Sequence, residues 1–179
     1  MCEEHVKAII PTMSLRVPPA ANRMASDRAP TPFSPTEIAA GCRPGISRLY
    51  LITEGNSPTV RLRWEFTGGD EVIAEYTTQR VDETDMPIGA PTTTRTRWVD
   101  LQAHASYPAD HTSISIETIA VPAGTFECWR YVVDDGRIST DAWFPFDLPG
   151  SPALKVDTVD GEQVSSMTLL DVVDRQLPS

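Results

Sequence analysis

From Ile46 onward the chain alternates between apolar and polar positions. In "VRLRWEF" Val60, Leu62, Trp64 and Phe66 fall on one side of an extended segment, with Arg61, Arg63 and Glu65 on the other. "TGGD" separates this run from "EVIAEYTTQRV", and a Gly-Gly pair between alternating runs predicts a hairpin whose two central residues take positive φ. "TSISIETI" alternates again through Ile114 and Ile116. "VPAGTF" then turns the chain at Gly124 into "FECWRYVV". That strand has Phe126, Cys128, Arg130 and Val132 on one face and Glu127, Trp129, Tyr131 and Val133 on the other. Both faces are partly apolar, as in a strand covered on both sides. Asp135-Gly136 and Asp160-Gly161 each read as a type I′ pair. Three hairpin signals predict a meander of antiparallel strands, and the crossover helices that a parallel sheet needs are missing.

Helical signals are few. In "PFSPTEIAAGCRPG" Ser34 suits an N-cap, Pro35 the first helical position, and Glu37 completes a capping box. Phe33 and Ile38 occupy the two places of a hydrophobic staple, so a short helix is expected from Ser34 to about Gly41. "RWVDLQAHASYP" lacks alternation and suggests a turn or two of helix from Arg97 to His104. Residues 1–31 are rich in proline and poor in periodicity, and read as a flexible leader ahead of one β-rich domain, 32–179. The expected fold is mainly β: a curved antiparallel sheet, an unclosed β-barrel, with one short N-terminal helix plugging or flanking its concave side.

Charge narrows the partners. With 25 acidic residues against 15 Lys and Arg, the formal net charge is −10. Such a field repels phosphate backbones and anionic lipid heads, so no nucleic acid and no membrane partner is expected. The acidic "MCEEHVKAIIPTM" does not resemble a secretory signal, and Cys2, Cys42 and Cys128 form no regular framework. Reduced thiols and a cytoplasmic location follow as expectations, with a Cys42–Cys128 bridge as the alternative.

Candidate chemistry is sparse. "GGDE" at Gly68–Glu71 matches a signature of cyclic-dinucleotide synthesis, but it joins two β runs and reads as a turn. "CEEH" at Cys2–His5 offers metal ligands without the second cluster a closed site needs, so no metal and no cofactor is expected. His104 and Asp110 are the catalytic candidates, an imidazole near neutrality and a carboxylate to orient it. His111 is adjacent to Asp110 and would point to the opposite face of a strand. Arg130, on an apolar strand face, must find a carboxylate, a cavity or water, and so is either an anchor for an anion or half of a salt bridge across the hairpin. Trp98, Trp129, Trp143 and Phe144 supply more apolar surface than one sheet face requires and, with His104 and Arg130, are the expected lining of a ligand pocket. Buried packing explains the same aromatics without a ligand. Cys128, between Glu127 and Trp129, reads as inert packing.

The stretches "PAGTFECWRY", "DAWFPFDLPGSP" and "VSSMTLLDV" resemble a group of uncharacterised bacterial proteins. Its β grammar is similar to that of domain-of-unknown-function proteins related to periplasmic lipoprotein carriers (LolA-like β folds). The likeness covers roughly Trp98 to Val173 and implies a curved, unclosed sheet around a short helix and an apolar cavity, hence a site for a hydrophobic ligand. The expected function is a non-catalytic module binding a small apolar ligand on the concave face. Two alternatives stand beside it. One is a small enzyme using His104 with Arg130 or Asp110 in the same cavity. The other is a structural or interaction protein without a ligand, a monomer or a homodimer paired through an exposed sheet edge.

Overall fold

The computed structural model describes residues 17–175. Strands β1 (Ile46–Glu54), β2 (Val60–Gly69), β3 (Ile73–Val81) and β4 (Thr92–Arg97) form one meander. β5 (Thr112–Val121), β6 (Gly124–Asp134), β7 (Ile138–Pro145), β8 (Leu154–Val159) and β9 (Glu162–Asp174) form a second. Pairing of β1 with β9 joins them into one antiparallel sheet, in the order β4-β3-β2-β1-β9-β8-β7-β6-β5. The sheet is curved and unclosed, as expected, and leaves β4 and β5 as its edges. Among the described residues there are two short α-helices, α1 (Pro35–Gly41) and α2 (Trp98–Ala103). The connection from β4 to β5 runs from one edge to the other and carries α2, which packs against α1 on the inner face.

Local chemistry sets these elements. The Ser34 hydroxyl accepts from the Glu37 N–H at 3.3 Å while the Glu37 carboxylate accepts from the Ser34 N–H at 2.7 Å, a reciprocal capping box. Phe33 and Ile38 are both buried in the main core, as a staple requires. Ser34→Ala is expected to cost about 1 kcal/mol. A urea midpoint that does not move would refute that role for the cap.

Two turns differ from expectation. Gly68 and Gly69 belong to β2, which bulges between Phe66 and Gly68, and only Gly69 has positive φ, +130°. Asp70 makes the turn instead, its carboxylate accepting from the Val72 and Ile73 N–H groups at 2.8 Å each. Those two bonds hold the Asp70 carboxyl below its usual range. Asp135-Gly136 is part of a three-residue loop with positive φ at Gly136 alone, the Asp134 and Asp135 carboxylates supplying the acceptors. Asp160-Gly161, with φ of 52° and 82°, is the two-residue turn expected.

The segment 17–31, expected as part of a leader, packs into the body. Thr31 is fully buried and Asn22 nearly so. Gln102 of α2 donates to the Thr31 hydroxyl at 2.9 Å, and the Asn22 side chain donates to the Thr31 carbonyl at 3.4 Å. Backbone bonds tie the segment to the α2–β5 connection, with the Ala29 N–H donating to Tyr107 O and the Ala109 N–H to Asp27 O, both at 2.9 Å. Pro19 stands just ahead of a 3-10 turn at Ala20–Asn22, where its missing N–H costs no hydrogen bond. Residues 1–16, including Cys2–His5, lie outside the described residues.

Two apolar clusters fill the interior. The larger joins Phe33, Ile38 and Cys42 to Phe66, Ala74, Trp98, Tyr131 and Phe144, fastening both helices to the inner face. The smaller gathers Tyr50, Ala153 and Leu169. Ile119, Val121 and Phe126 of the β5–β6 hairpin reach it, and at the hairpin tip the Ala123 N–H donates to Leu169 O at 3.4 Å.

Candidate functional site: a cavity between the helices and the sheet

A cavity of about 280 Å³ lies between the inner face and the helices. Ile38 and Cys42 come from α1, Leu101 from α2, Trp64 and Phe66 from β2, and Met167 from β9. Ladder register explains why these side chains meet. Arg48 pairs with Trp64, and Tyr50 with Leu62 and Leu169. Phe66 pairs with Tyr76, Lys155 with Met167 and with Ala142, and Phe144 with Trp129. Directly paired residues share a face, so all of these project inward. Tyr50, Trp64, Tyr76, Phe66 and Trp98 form a run of neighbouring rings with centroids 5.2 to 6.4 Å apart.

Past β7, residues 146–153 cross the mouth of the sheet and contribute Gly150, Ser151 and Pro152 to the wall. Arg48 holds this loop. Its Nη2 donates to Pro149 O at 2.6 Å and to Gly41 O at 3.1 Å, joining the loop to the end of α1. At Gly41 a side chain would meet Pro149 at 2.8 to 2.9 Å, so glycine is what lets helix and loop approach.

A few polar groups reach the cavity. Lys155, Tyr107, Ser151 and His104 line it. The Lys155 ammonium donates to Asp157 at 2.8 Å, and Thr140 and Ser165 donate to the same carboxylate at 2.6 Å each. Burial pushes the Asp157 carboxyl up, but these three donors outweigh it and leave it below its usual range. Burial, with the Asp157 charge behind it, pushes the Tyr107 phenol up to about 12.

The anticipated site residues divide among three places. His104 and Phe144 line the cavity. Trp98 is buried beside it in the core, its indole N–H donating to Asp70 O at 2.9 Å. Trp129 faces inward too, but packs between Phe33 and Phe146, 5.5 and 4.5 Å between centroids. Arg130 and Trp143 pair with each other and lie on the opposite face from Tyr131 and Phe144. There Arg130 donates to Asp141 at 2.6 and 2.9 Å and to Glu117 at 3.3 Å, over the Trp143 ring at 5.1 Å. The salt bridge across the hairpin is therefore its place. Asp110 sits with His111, Asp27 and Arg28 in a separate surface hollow. His104, Asp110 and Arg130 are not brought together. Among the described residues no group of His, Cys, Asp and Glu could hold a metal.

Sequence reasoning passed over Arg48, Tyr50, Lys155 and the wall loop. The signal for Arg48 was available: Ile46, Arg48, Tyr50 and Ile52 share one side of β1, an arginine on an apolar stripe just as Arg130 is.

Cys42 and Cys128 are free and buried. Burial, then the charges of Glu117 and Glu127, push the Cys128 thiol up to about 12. Burial also raises Cys42, with Arg48 pulling the other way. In a Cys2→Ser chain, aromatic disulfide reagents at about pH 8 are expected to find no reactive thiol until urea is added. Rapid labelling of the native chain would contradict the burial described here. Tyr107 and Cys128 both hold their protons more firmly folded than unfolded. Their stabilisation is complete below the unfolded values of 10.0 and 9.0 and disappears as pH climbs toward about 12. Urea midpoints are accordingly expected to fall steadily above about pH 9.

No protein-family model matches the chain, and no curated protein matches it significantly. Two solved structures, of MucB alone and of MucB in complex with MucA(peri), are similar to it, each at a TM-score of 0.53 and 10% identity over 80% of this chain. The chain shares the LolA-like β fold with them. It spans 57% and 55% of the two MucB chains, little more than half their length. The expectation of a cytoplasmic location is corrected by this likeness, because MucB, which carries the fold, is periplasmic. Among the described residues no helix is long and apolar enough to cross a membrane.

Proposed function

We propose that the chain is a binding module whose inner cavity holds a small, largely apolar ligand. The observation that carries this reading is the cavity of about 280 Å³ walled by Ile38, Trp64, Phe66, Leu101, Phe144 and Met167. Protein interiors close-pack, leaving few voids larger than a water molecule, so a hollow of this size between well-formed elements calls for an occupant. Its volume lies near the lower end of small-molecule sites, and its few polar groups lie among apolar ones, as ligand pockets require. The fold shared with MucB supports the reading, since a curved sheet with helices laid in it creates the hollow. The stretches "PAGTFECWRY" and "DAWFPFDLPGSP" supply β6 and the wall loop, so the bacterial group they resemble falls under the same proposal.

Native mass spectrometry and thermal shift of the full chain against a panel of alkyl and aromatic compounds test it. A ligand at a hundred times its Kd adds about 2.7 kcal/mol, enough to raise Tm by roughly 5–11 °C. A panel that moves neither mass nor Tm overturns the proposal.

A second reading, a site for a polypeptide partner, draws on the complex of MucB with MucA(peri) and on the two open sheet edges. A strand added to β4 or β5 would protect edge amides from hydrogen exchange, whereas a cavity ligand protects α2 and the wall loop.

A further inference from the structure

The cavity runs against the charge of the chain. The sequence has ten more acidic than basic residues, yet among the described residues no Asp or Glu lines the cavity, while Lys155 and His104 do. A stronger charge lies behind its wall. Arg48 is 1% exposed, and no carboxylate among the described residues stands within ion-pair distance of it. Only its Nη2 is used, toward Gly41 O, Pro149 O and the Cys42 sulfur. Nε and Nη1 have no partner, and neither does the buried indole N–H of Trp64. The Tyr50 hydroxyl, beside Arg48 and Ser151, makes no hydrogen bond of good geometry. Three buried donor atoms thus lack a well-aligned acceptor in one neighbourhood, with the Tyr50 hydroxyl beside the guanidinium able to accept from it.

Burying an uncompensated guanidinium costs several kcal/mol, and two carbonyl dipoles offset only part of that. Gly150 separates this charge from the cavity. It lines the wall, and a side chain built on it would lie 2.8 Å from Arg48 Nη1 and 2.9 Å from the Cys42 sulfur. The Gly150 backbone and the Cys42 sulfur therefore stand between guanidinium and hollow. In a low-dielectric interior such a charge acts across several ångströms.

We infer that the cavity's ligand carries an anionic end, the acid group of a single-chain amphiphile, placed at the Cys42–Gly150–Ser151 wall opposite Arg48. The apolar chain lies along Trp64, Phe66, Leu101 and Met167. A carboxylate and a phosphate monoester share the chemistry required; the charge of Arg48 is what selects them, since Lys155 is already paired with Asp157. This inference rests on the apolar-ligand reading above and adds the charge of the occupant to it.

The test is competition against an uncharged apolar fluorophore, using the full chain at about pH 8, where both acids are ionised. The competitors are dodecanoate, dodecyl phosphate and methyl dodecanoate. One buried charge interaction of 1.4 kcal/mol is tenfold, so at least one acid is expected to compete roughly tenfold better than the neutral ester. The order of the two acids tells which head group is preferred. Arg48→Met is expected to bring acid and ester together by weakening only the acid. Should Arg48→Met fail to fold, Lys155→Met, which leaves the Asp157 carboxylate without its cation beside the cavity, is expected to narrow the gap in the same direction. Equal competition by acids and ester overturns the inference and leaves the cavity reading intact. A fluorophore that does not bind at all, with no competitor raising Tm, overturns the cavity reading and this inference with it.

Discussion

Ala105→Trp is expected to abolish binding of apolar compounds, by more than about a hundredfold, while leaving a folded chain. Ala105 is 8% exposed and lines the cavity just beyond α2, with its N–H donating to Gln102 O at 3.0 Å. An indole there has the hollow to enter and replaces the ligand's contacts with its own. Overpacking typically costs 1–3 kcal/mol, an upper range here because space already exists. The check is a fluorophore titration beside a urea midpoint. Binding that survives with stability unchanged would place the ligand elsewhere on the molecule.

The largest loss of stability is expected at Tyr131. It is fully buried on the inner face, its ring 5.4 Å from Phe144 and 5.9 Å from Tyr107, and its hydroxyl donates to Pro30 O at 2.7 Å. Burial pushes its phenol far above the usual range, so the hydroxyl keeps its proton for that bond. Tyr131→Ala removes a ring from the main core and is expected to cost about 3–5 kcal/mol. Tyr131→Phe keeps the ring and loses only the bond, at about 1 kcal/mol. Its second effect is local: amide exchange should rise around Thr31 and Ala29, the stretch that bond fastens to the sheet. A Phe variant with wild-type exchange there would show that segment 17–31 is held by other contacts alone.

The legible parts were those where one local rule governs. A capping box and staple need only four residues, and "PFSPTEI" contains them. Alternation marked β2, β3, β5 and β6 because each has one face against the core. β4 escaped notice because "TTTRTR" is an edge strand with little to bury, and edges carry polar residues on purpose. The pairing of β1 with β9 has no local signature at all; it depends on chain segments more than a hundred residues apart. Segment 17–31 misled because its prolines resemble a disordered leader, while its order comes from Gln102 and Tyr107 in distant elements. For the site, aromatic content pointed to a hollow and to His104 and Phe144, but could not tell inner from outer face. Parity along β6 put Arg130 and Trp129 on opposite faces, and only the cross-strand register of β7 decides which of them sees the helices. Arg48 was the harder case, since its isolation from any carboxylate is a property of the packed structure.

The central claim is that an apolar chain lies within the hollow between α1, α2 and the sheet. Methyl-labelled protein bound to an alkyl ligand tests it directly, through nuclear Overhauser contacts from the ligand chain. Contacts to the methyls of Ile38, Leu101 and Met167, with none to the exposed Ile116 or Val173, are the result expected. Contacts confined to outward-facing methyls, or a tightly bound ligand that touches none of those three, would contradict it.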